Sequence, residues 1–229
     1  MPYYRRKRPS YRRRRRRKPR SVVPWSRKKY CITPADAYSY ARRGMRYLSG
    51  LVNSERLMNE NSASGTEITS DVNLVYSMSS IGQGDTVSGR TGNSIFARLL
   101  TIKWAIEQVA ASDTGIRMVV VRDTQQIGDT TPTPTDVYES KSLTSLLKKE
   151  NLGRFTILYD KVLTFTVAGN QFKHGTINLP MRSHIRYNGT ASTDIQKNGL
   201  YFMVWSTETD ASDDGPLLSF NSRLRYHDN

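Results

Sequence analysis

Cysteine is almost absent from this chain. Cys31 is the only one, so no disulfide can form within the chain and a disulfide-stabilised secreted scaffold is excluded. The sequence also lacks an apolar N-terminal stretch of signal-peptide length, and it has no apolar run of the about 18 residues that cross a membrane. We therefore expect a soluble protein that is made in the cytosol and has no membrane partner.

The residues that carry most enzyme chemistry are scarce or poorly placed. His174, His184 and His227 are the only histidines, and they have neither the i, i+4 spacing nor the nearby Cys and carboxylate ligands of a zinc site. Cys31 lies where no predicted fold would orient a general base against it. We therefore predict no enzyme activity, no catalytic residue, no metal and no cofactor.

One segment comes close to a phosphate-binding loop. Gly84 to Thr91 has the spacing of a P-loop, but Arg90 stands where that loop requires lysine. A P-loop also leads directly into a helix whose N-terminus faces the phosphates, whereas residues 95–106 have the pattern of a strand. We therefore interpret residues 82–94 as a loop between two strands.

Acidic residues are missing from the first thirty positions, which carry fifteen Lys or Arg. The other 20 basic residues balance all 20 acids, so the formal charge of +15 belongs to this segment alone. Its prolines and its self-repulsion predict a disordered arginine-rich arm, residues 1–33, that becomes ordered on a polyanion. Such an arm binds phosphates with release of counterions, and its arginines and interleaved aromatic residues favour single-stranded nucleic acid.

After the arm, Thr33 to Asp36 has the features of a helix start, and apolar residues from Tyr38 to Leu48 follow at helical spacing. We predict a short amphipathic basic helix over residues 34–50, whose polar side either continues the basic surface of the arm or is an ordinary solvated face. The predicted nucleic-acid-binding residues are Arg5, Arg6, Lys7, Arg8, Arg12, Arg13, Arg14, Arg15, Arg16, Arg17, Lys18, Arg20, Arg27, Lys28 and Lys29 of the arm and Arg42, Arg43 and Arg46 of the helix.

The arm also resembles a nuclear import signal, and this role overlaps with nucleic-acid binding because it uses the same residues. The predicted import signal consists of Arg5, Arg6, Lys7, Arg8, Arg12, Arg13, Arg14, Arg15, Arg16, Arg17 and Lys18.

From residue 66 onward the hydrophobic period is two, which predicts strands. A half-buried strand is predicted from Ile68 to Met78, and a second helical pattern covers Val137 to Lys149. Further β-rich stretches lie at 95–107, 115–122, 154–167, 172–187, 200–206 and 217–226, and exposed loops are predicted at 82–94, 123–136 and 207–216. The pattern predicts an all-β fold, an antiparallel sandwich or jelly roll over residues 51–229, with one or two short helices in the chain.

A basic arm, a short helix and a neutral β body together resemble the coat protein of a small icosahedral virus. Ile81 to Gly84, followed by Arg90 to Ile95, resembles the stretch that leads into a core strand in capsid proteins of circular, Rep-encoding single-stranded DNA viruses. Arg154 to Lys161 is similar to a second segment of that group, and Ala37 to Glu55 is similar to its helix and lead-in.

The resemblance implies a single jelly roll akin to those of satellite tobacco necrosis virus and the geminivirus coat proteins, with the arm inside the shell. It implies a homo-oligomer of about 60 copies, whose arms would carry roughly 900 positive charges. The implied partners are a single-stranded DNA genome, or RNA in heterologous assembly, and host nuclear import receptors. The implied locations are the virion and, during assembly, the host nucleus.

From the residues alone, a non-viral basic single-stranded nucleic-acid-binding protein is the alternative. Such a protein should carry basic and aromatic residues along its own strands. Here the body has no net charge, and in sequence its bases are scattered among acids.

Overall fold

The computed structural model describes residues 39, 40, 42, 56–109, 113–126, 130–207 and 215–228. The chain divides into two compact units, residues 1–52 and 53–229. In the first unit Ser39, Tyr40 and Arg42 have helical backbone and are exposed, and all three fall within the predicted helix. The arm and the rest of that helix lie outside the described residues, so their limits stay predictions.

The second unit is built almost wholly from strands. Its described part contains one short helix, α1 (Pro134–Val137), and a single 3₁₀ turn (Lys149–Asn151). The strands are β1 (Leu57–Glu67), β2 (Leu74–Ser77), β3 (Ser94–Glu107), β4 (Thr114–Asp123), β5 (Phe155–Phe165), β6 (Phe172–Tyr187), β7 (Ile195–Lys197), β8 (Gly199–Ser206) and β9 (Leu217–Asp228).

These strands form two antiparallel sheets, one in the order β1-β9-β3-β6-β7 and the other in the order β2-β8-β4-β5. Apart from the β4–β5 and β6–β7 connections, each strand is followed by a strand of the opposite sheet. Without the three-residue β7, two four-stranded sheets remain, and their connectivity is that of an eight-stranded jelly roll. The predicted all-β jelly-roll fold is therefore confirmed.

The main core lies between the two sheets, where Ile102, Phe202 and Phe220 are at most 1% exposed. A second apolar cluster lies on the other side of the four-stranded sheet, beneath residues 134–152, which we call the covering segment. Val137 and Tyr138 of that segment pack against Trp205 and its neighbours on β8. Every residue of β8 is buried, because the strand is covered on both faces, and this explains its unbroken apolar run.

The strand predicted from Ile68 to Met78 is only partly correct. Residues 68–73 connect β1 to β2, and Val72 is 49% exposed. The preceding strand β1 was not predicted. Small or polar residues occupy most of its half-buried positions as well as its exposed ones, so the sequence shows no hydrophobic period. It is nevertheless a strand, because it pairs with β9 from Leu57 to Glu67 around one bulge.

The helix predicted from Val137 to Lys149 is wrong. Its helical part ends at Val137, and Tyr138 instead forms an isolated antiparallel bridge with Leu147. Hydroxyl groups compete for the backbone here: the amide of Ser140 donates to Oγ of Ser145 at 2.9 Å. Leu146, which the pattern placed on the apolar side of a helix, is 79% exposed.

The predicted loop 82–94 lies in the connection from β2 to β3, except that residue 94 begins β3. The predicted loop 123–136 falls in the first part of the connection from β4 to β5, except that residue 123 ends β4 and α1 begins at residue 134. Most of the predicted loop 207–216 lies outside the described residues.

Candidate nucleic-acid interface

Among the predicted nucleic-acid-binding residues, the structure describes Arg42 alone, and its side chain is exposed. The other predicted residues of the arm and helix lie outside the described residues, as does the whole predicted import signal. The described part of the chain nevertheless contains a basic surface that the sequence did not reveal.

This surface is the solvent-facing side of the five-stranded sheet, which we call the basic sheet face. Alternation along each strand directs one set of side chains into the core and the other set to solvent. On β6, Ile177 and Ile185 are buried, whereas His184 and Arg186 are exposed. Its exposed basic residues are Arg98, Lys103, Arg182, Arg186, Lys197, Arg223 and Arg225.

Few acids offset these bases. Glu60 and Glu107 are the exposed acids on the described strands of this sheet. Glu60 pairs with Arg223 at 2.6 Å, but both side chains are about half exposed, so the pair contributes little. Asp228 is directed to the neighbouring loop, where it accepts the amide of Thr91 at 2.6 Å. The face therefore carries net positive charge, although the body as a whole is neutral.

Part of the face is concave. A groove of about 630 Å³ follows β1, β9 and β3. Lys103, Arg223 and Arg225 line it together with Glu60, Asn61, Ser62, Thr101, Asn221 and Ser222. A groove lined by basic and polar residues is suited to a phosphate backbone, which offers charge and acceptor oxygens.

The register of β3 and β6 is interrupted between Ala97 and Leu99. Arg98 occupies the interruption on β3, and Met181 and Arg182 occupy it on β6, where Arg182 has φ of 48°. A positive φ is unfavourable for a residue with a Cβ, and two arginines at one bulge repel each other. Strain of this kind at an exposed basic position points to a functional role, because bulges redirect side chains at binding sites.

The outer side of the four-stranded sheet lies beneath the covering segment, and Arg117 and Arg154 on that side form ion pairs. Arg117 forms an ion pair with Asp160 at 2.6 Å and stacks on Tyr138, 4.2 Å from the ring centroid. Burial raises the pKa of Asp160, but the hydrogen bonds and charge of Arg117, with the hydroxyl of Tyr138, outweigh burial and hold it below its usual value. Arg117 is therefore held in place and cannot reach a ligand.

The second ion pair of this sheet lies at the end of β4. Arg154 forms a bidentate pair with the fully buried carboxylate of Asp123. Its Nη2 donates to Oδ2 at 2.7 Å, and its Nε donates to Oδ1 at 3.0 Å and to Oδ2 at 3.2 Å. This contact with Asp123 raises the pKa of Arg154, since it stabilises the charged guanidinium. The sequence segment Arg154 to Lys161, singled out for its resemblance to capsid proteins, thus supplies one partner to each ion pair.

Arg90 of the near P-loop is directed into the protein. It is fully buried and donates to the carbonyl oxygens of Ile81 at 3.0 Å, Gly92 at 2.6 Å and Gly189. Its guanidinium also stacks on Tyr187, 4.1 Å from the ring centroid. Arg90 therefore holds the loop in place through these contacts and is not exposed to bind an anion. The loop is followed by the strand β3, whereas a P-loop is followed by a helix.

In the described part of the chain, no helix is long and apolar enough to cross a membrane, and no cluster of potential metal ligands is found.

One sequence signal could have pointed to the basic sheet face. Residues 161–193 contain no Asp or Glu, and β6 lies within them with two arginines, one lysine and two histidines. The basic residues of β3 and β9 are distant from β6 in sequence and come close to it only through strand pairing. They therefore give no sign of the basic sheet face in the local sequence.

The chain matches the family model for the satellite tobacco necrosis virus coat protein over residues 52–213. The coat protein of satellite tobacco necrosis virus 2 is 32% identical over 127 residues, which cover 55% of this chain and 63% of the relative. The capsid protein of satellite tobacco necrosis virus 1 is 32% identical over 126 residues, which cover 53% of this chain and 62% of the relative. The match therefore spans less than two thirds of either relative.

Among solved structures, a chain of Desmodium yellow mottle tymovirus aligns over 77% of this chain and 90% of its own length, with a TM-score of 0.38 and 10% identity.

Proposed function

Because this chain belongs to the satellite tobacco necrosis virus coat protein family, we propose that it is a viral capsid protein that self-assembles into a small icosahedral shell and packages a single-stranded genome. The observation that carries the proposal is the match over residues 52–213, which covers the jelly roll from β1 to β8. A neutral body can tile a shell by repeated contacts between copies, and about 60 copies would close the smallest icosahedral shell.

The arm supplies the packaging activity in this proposal. Fifteen positive charges and no acid in thirty residues bind phosphates without regard to sequence. Roughly 900 such charges in a shell of about 60 copies are commensurate with a genome of one to two thousand phosphates. Arg42, Arg43 and Arg46 would extend this surface beyond the arm.

Single-stranded DNA is the genome that we propose, and host nuclear import through the arm accompanies it. The genome type follows from the resemblance of Ile81 to Gly84, Arg90 to Ile95 and Arg154 to Lys161 to capsid proteins of circular, Rep-encoding single-stranded DNA viruses. Import follows from the resemblance of the arm to a nuclear import signal. The family match supports the coat protein and does not specify the nucleic acid, and arginine contacts to phosphate do not distinguish DNA from RNA.

The test compares the full chain with a variant that lacks residues 2–30. Both are expressed, treated with nuclease, separated by size-exclusion chromatography and imaged by negative-stain electron microscopy. We expect closed particles with protected nucleic acid from the full chain, and a folded, self-associating protein without nucleic acid from the variant. Sequencing the protected nucleic acid after assembly with equal amounts of single-stranded DNA and RNA tests the genome type.

Two results would contradict the proposal. Equal packaging by the shortened variant would remove the role of the arm. A full chain that stays monomeric with added single-stranded DNA or RNA, and merely binds it, would favour the non-viral binding protein instead. Nuclear import is tested separately, by the location of a fluorescent fusion of residues 1–33 in cells, with Arg12 to Arg17 replaced by Gln as the control.

A further inference from the structure

We propose that the basic sheet face holds a base-stacking site for single-stranded nucleic acid, centred on Phe96 between His184 and His227. This inference deepens the proposed function and rests on it, because it adds a contact by the folded body to binding by the arm. The partner class is a single-stranded polynucleotide with unpaired bases.

The register brings the three rings together. Phe96 on β3 pairs directly with His184 on β6 and with His227 on β9. Residues opposite one another in neighbouring strands have Cβ atoms about 5 Å apart on the same face. Phe96 and His184 meet edge to face with ring centroids 4.9 Å apart, and so form the two walls of an aromatic corner.

The corner faces solvent and not the core. Ile95 and Ala97, the neighbours of Phe96 along β3, are fully buried on the opposite side of the sheet, whereas Phe96 is half-buried and His184 is exposed. An aromatic ring on the solvent side of a basic sheet is the arrangement with which proteins stack unpaired bases, because every base has a π-face.

Arginines flank the corner on both sides along the strand direction. Arg186 lies one row away along β6, about 7 Å in strand geometry, and pairs with Ser94 and Lys197. On the other side are Arg98 and Arg182 at the bulge, and beyond them Arg225. A base on Phe96 would therefore have basic residues on both sides along the strand direction, where the phosphates that flank it would lie.

The positive φ of Arg182 supports the same site. Ordinary packing does not require arginine at an exposed position with φ of 48°, where glycine is unstrained. A phosphate between Arg98 and Arg182 would relieve the repulsion of the two side chains. The bulge thus has a physical explanation if an anion binds there.

The test uses the full chain and two fluorescent oligomers of about 20 units, oligo(dT) and an abasic deoxyribose-phosphate chain, in fluorescence anisotropy. The arm can contact the phosphates of either oligomer, and only oligo(dT) has bases. The ratio of the two affinities therefore reports contacts to bases. In Phe96→Leu, which stays apolar, we expect the preference for oligo(dT) to fall at least about fivefold while affinity for the abasic chain is unchanged. Phe172→Leu is the matched control, since Phe172 is an exposed phenyl on the same face opposite Glu107.

A second variant tests the proposed phosphate contact between Arg98 and Arg182. Arg182→Gly removes the charge and suits the positive φ, so folding stability should not fall. We expect weaker binding of both oligomers and a salt slope smaller by about 0.7, the value for one phosphate contact on a single strand.

The outcomes separate the two proposals. An unchanged affinity ratio in Phe96→Leu, or unchanged binding and salt slope in Arg182→Gly, would overturn the stacking site and leave packaging by the arm intact. A full chain that binds neither oligomer would overturn the proposed function itself.

Discussion

Replacing Arg90 by lysine would complete the P-loop spacing from Gly84 to Thr91, yet we expect it to destabilise the protein and to create no nucleotide site. Arg90 donates from Nε to Ile81, from one Nη to Gly92 and from the other Nη to Gly189. Three nitrogens serve three carbonyl groups in different directions, and lysine has a single nitrogen.

The magnitude follows from the contacts that lysine cannot make. An ammonium group at this position satisfies one of the three carbonyl groups, and hydrogen bonds to a charged donor contribute about 1.5 kcal/mol or more each. Two lost contacts therefore cost about 3 kcal/mol, while the charge stays buried. In a domain of this size the corresponding fall in melting temperature is about 6 to 12 °C.

The assay is urea unfolding of the full chain, freed of nucleic acid and kept unassembled at high salt, and followed by tryptophan fluorescence. Arg225→Lys is the control, because Arg225 is an exposed arginine on the adjoining strand and should change stability by less than about 0.5 kcal/mol. A decrease of less than about 1 kcal/mol in the free energy of unfolding of Arg90→Lys would refute the structural role of Arg90 in this loop. ATP binding gained by that variant would refute the assignment of residues 82–94 as a structural loop.

Three further predictions concern the body. Arg154→Ala should cost about 3 kcal/mol in the same unfolding assay, because it leaves the fully buried carboxylate of Asp123 without its guanidinium, and adding Asp123→Asn should restore part of the loss. The pKa of Asp160 is below its usual value in the folded protein, so its ionised form stabilises the fold above about pH 4, and this stability is lost as the pH falls through the folded pKa. The stability difference between wild type and Asp160→Asn, about 1 kcal/mol after solvent screening, should therefore shrink from pH 6 to pH 3; a constant difference would contradict the ion pair. Gly175→Ala places a Cβ 2.7 Å from Cζ2 of Trp104 and should lower the melting temperature, whereas Gly153→Ala, whose Cβ meets nothing within 4 Å, should not.

The strands with a hydrophobic period were predictable, because burial on one or both faces produces a hydrophobic pattern among residues that are neighbours in sequence. The prediction at 95–107 matches β3 (Ser94–Glu107), and the one at 172–187 matches β6. The same reasoning missed β1, whose polar sequence is held as a strand by pairing with β9. It also misjudged the covering segment, where the bridge between Tyr138 and Leu147 and local hydroxyl contacts prevail over helical spacing.

The sequence by itself determined that the chain joins a polycation to a neutral β body, because charge density and hydrophobic period are properties of neighbouring residues. Only the tertiary structure decided where the charges of the body lie. Arg186, Arg98 and Arg225 are far apart in the chain and meet on one face through the pairing of β6, β3 and β9. Arg90, which in sequence resembles a phosphate ligand, faces the core. A net charge is a sum that ignores position, whereas binding depends on which side of a sheet each side chain occupies, and strand register determines that.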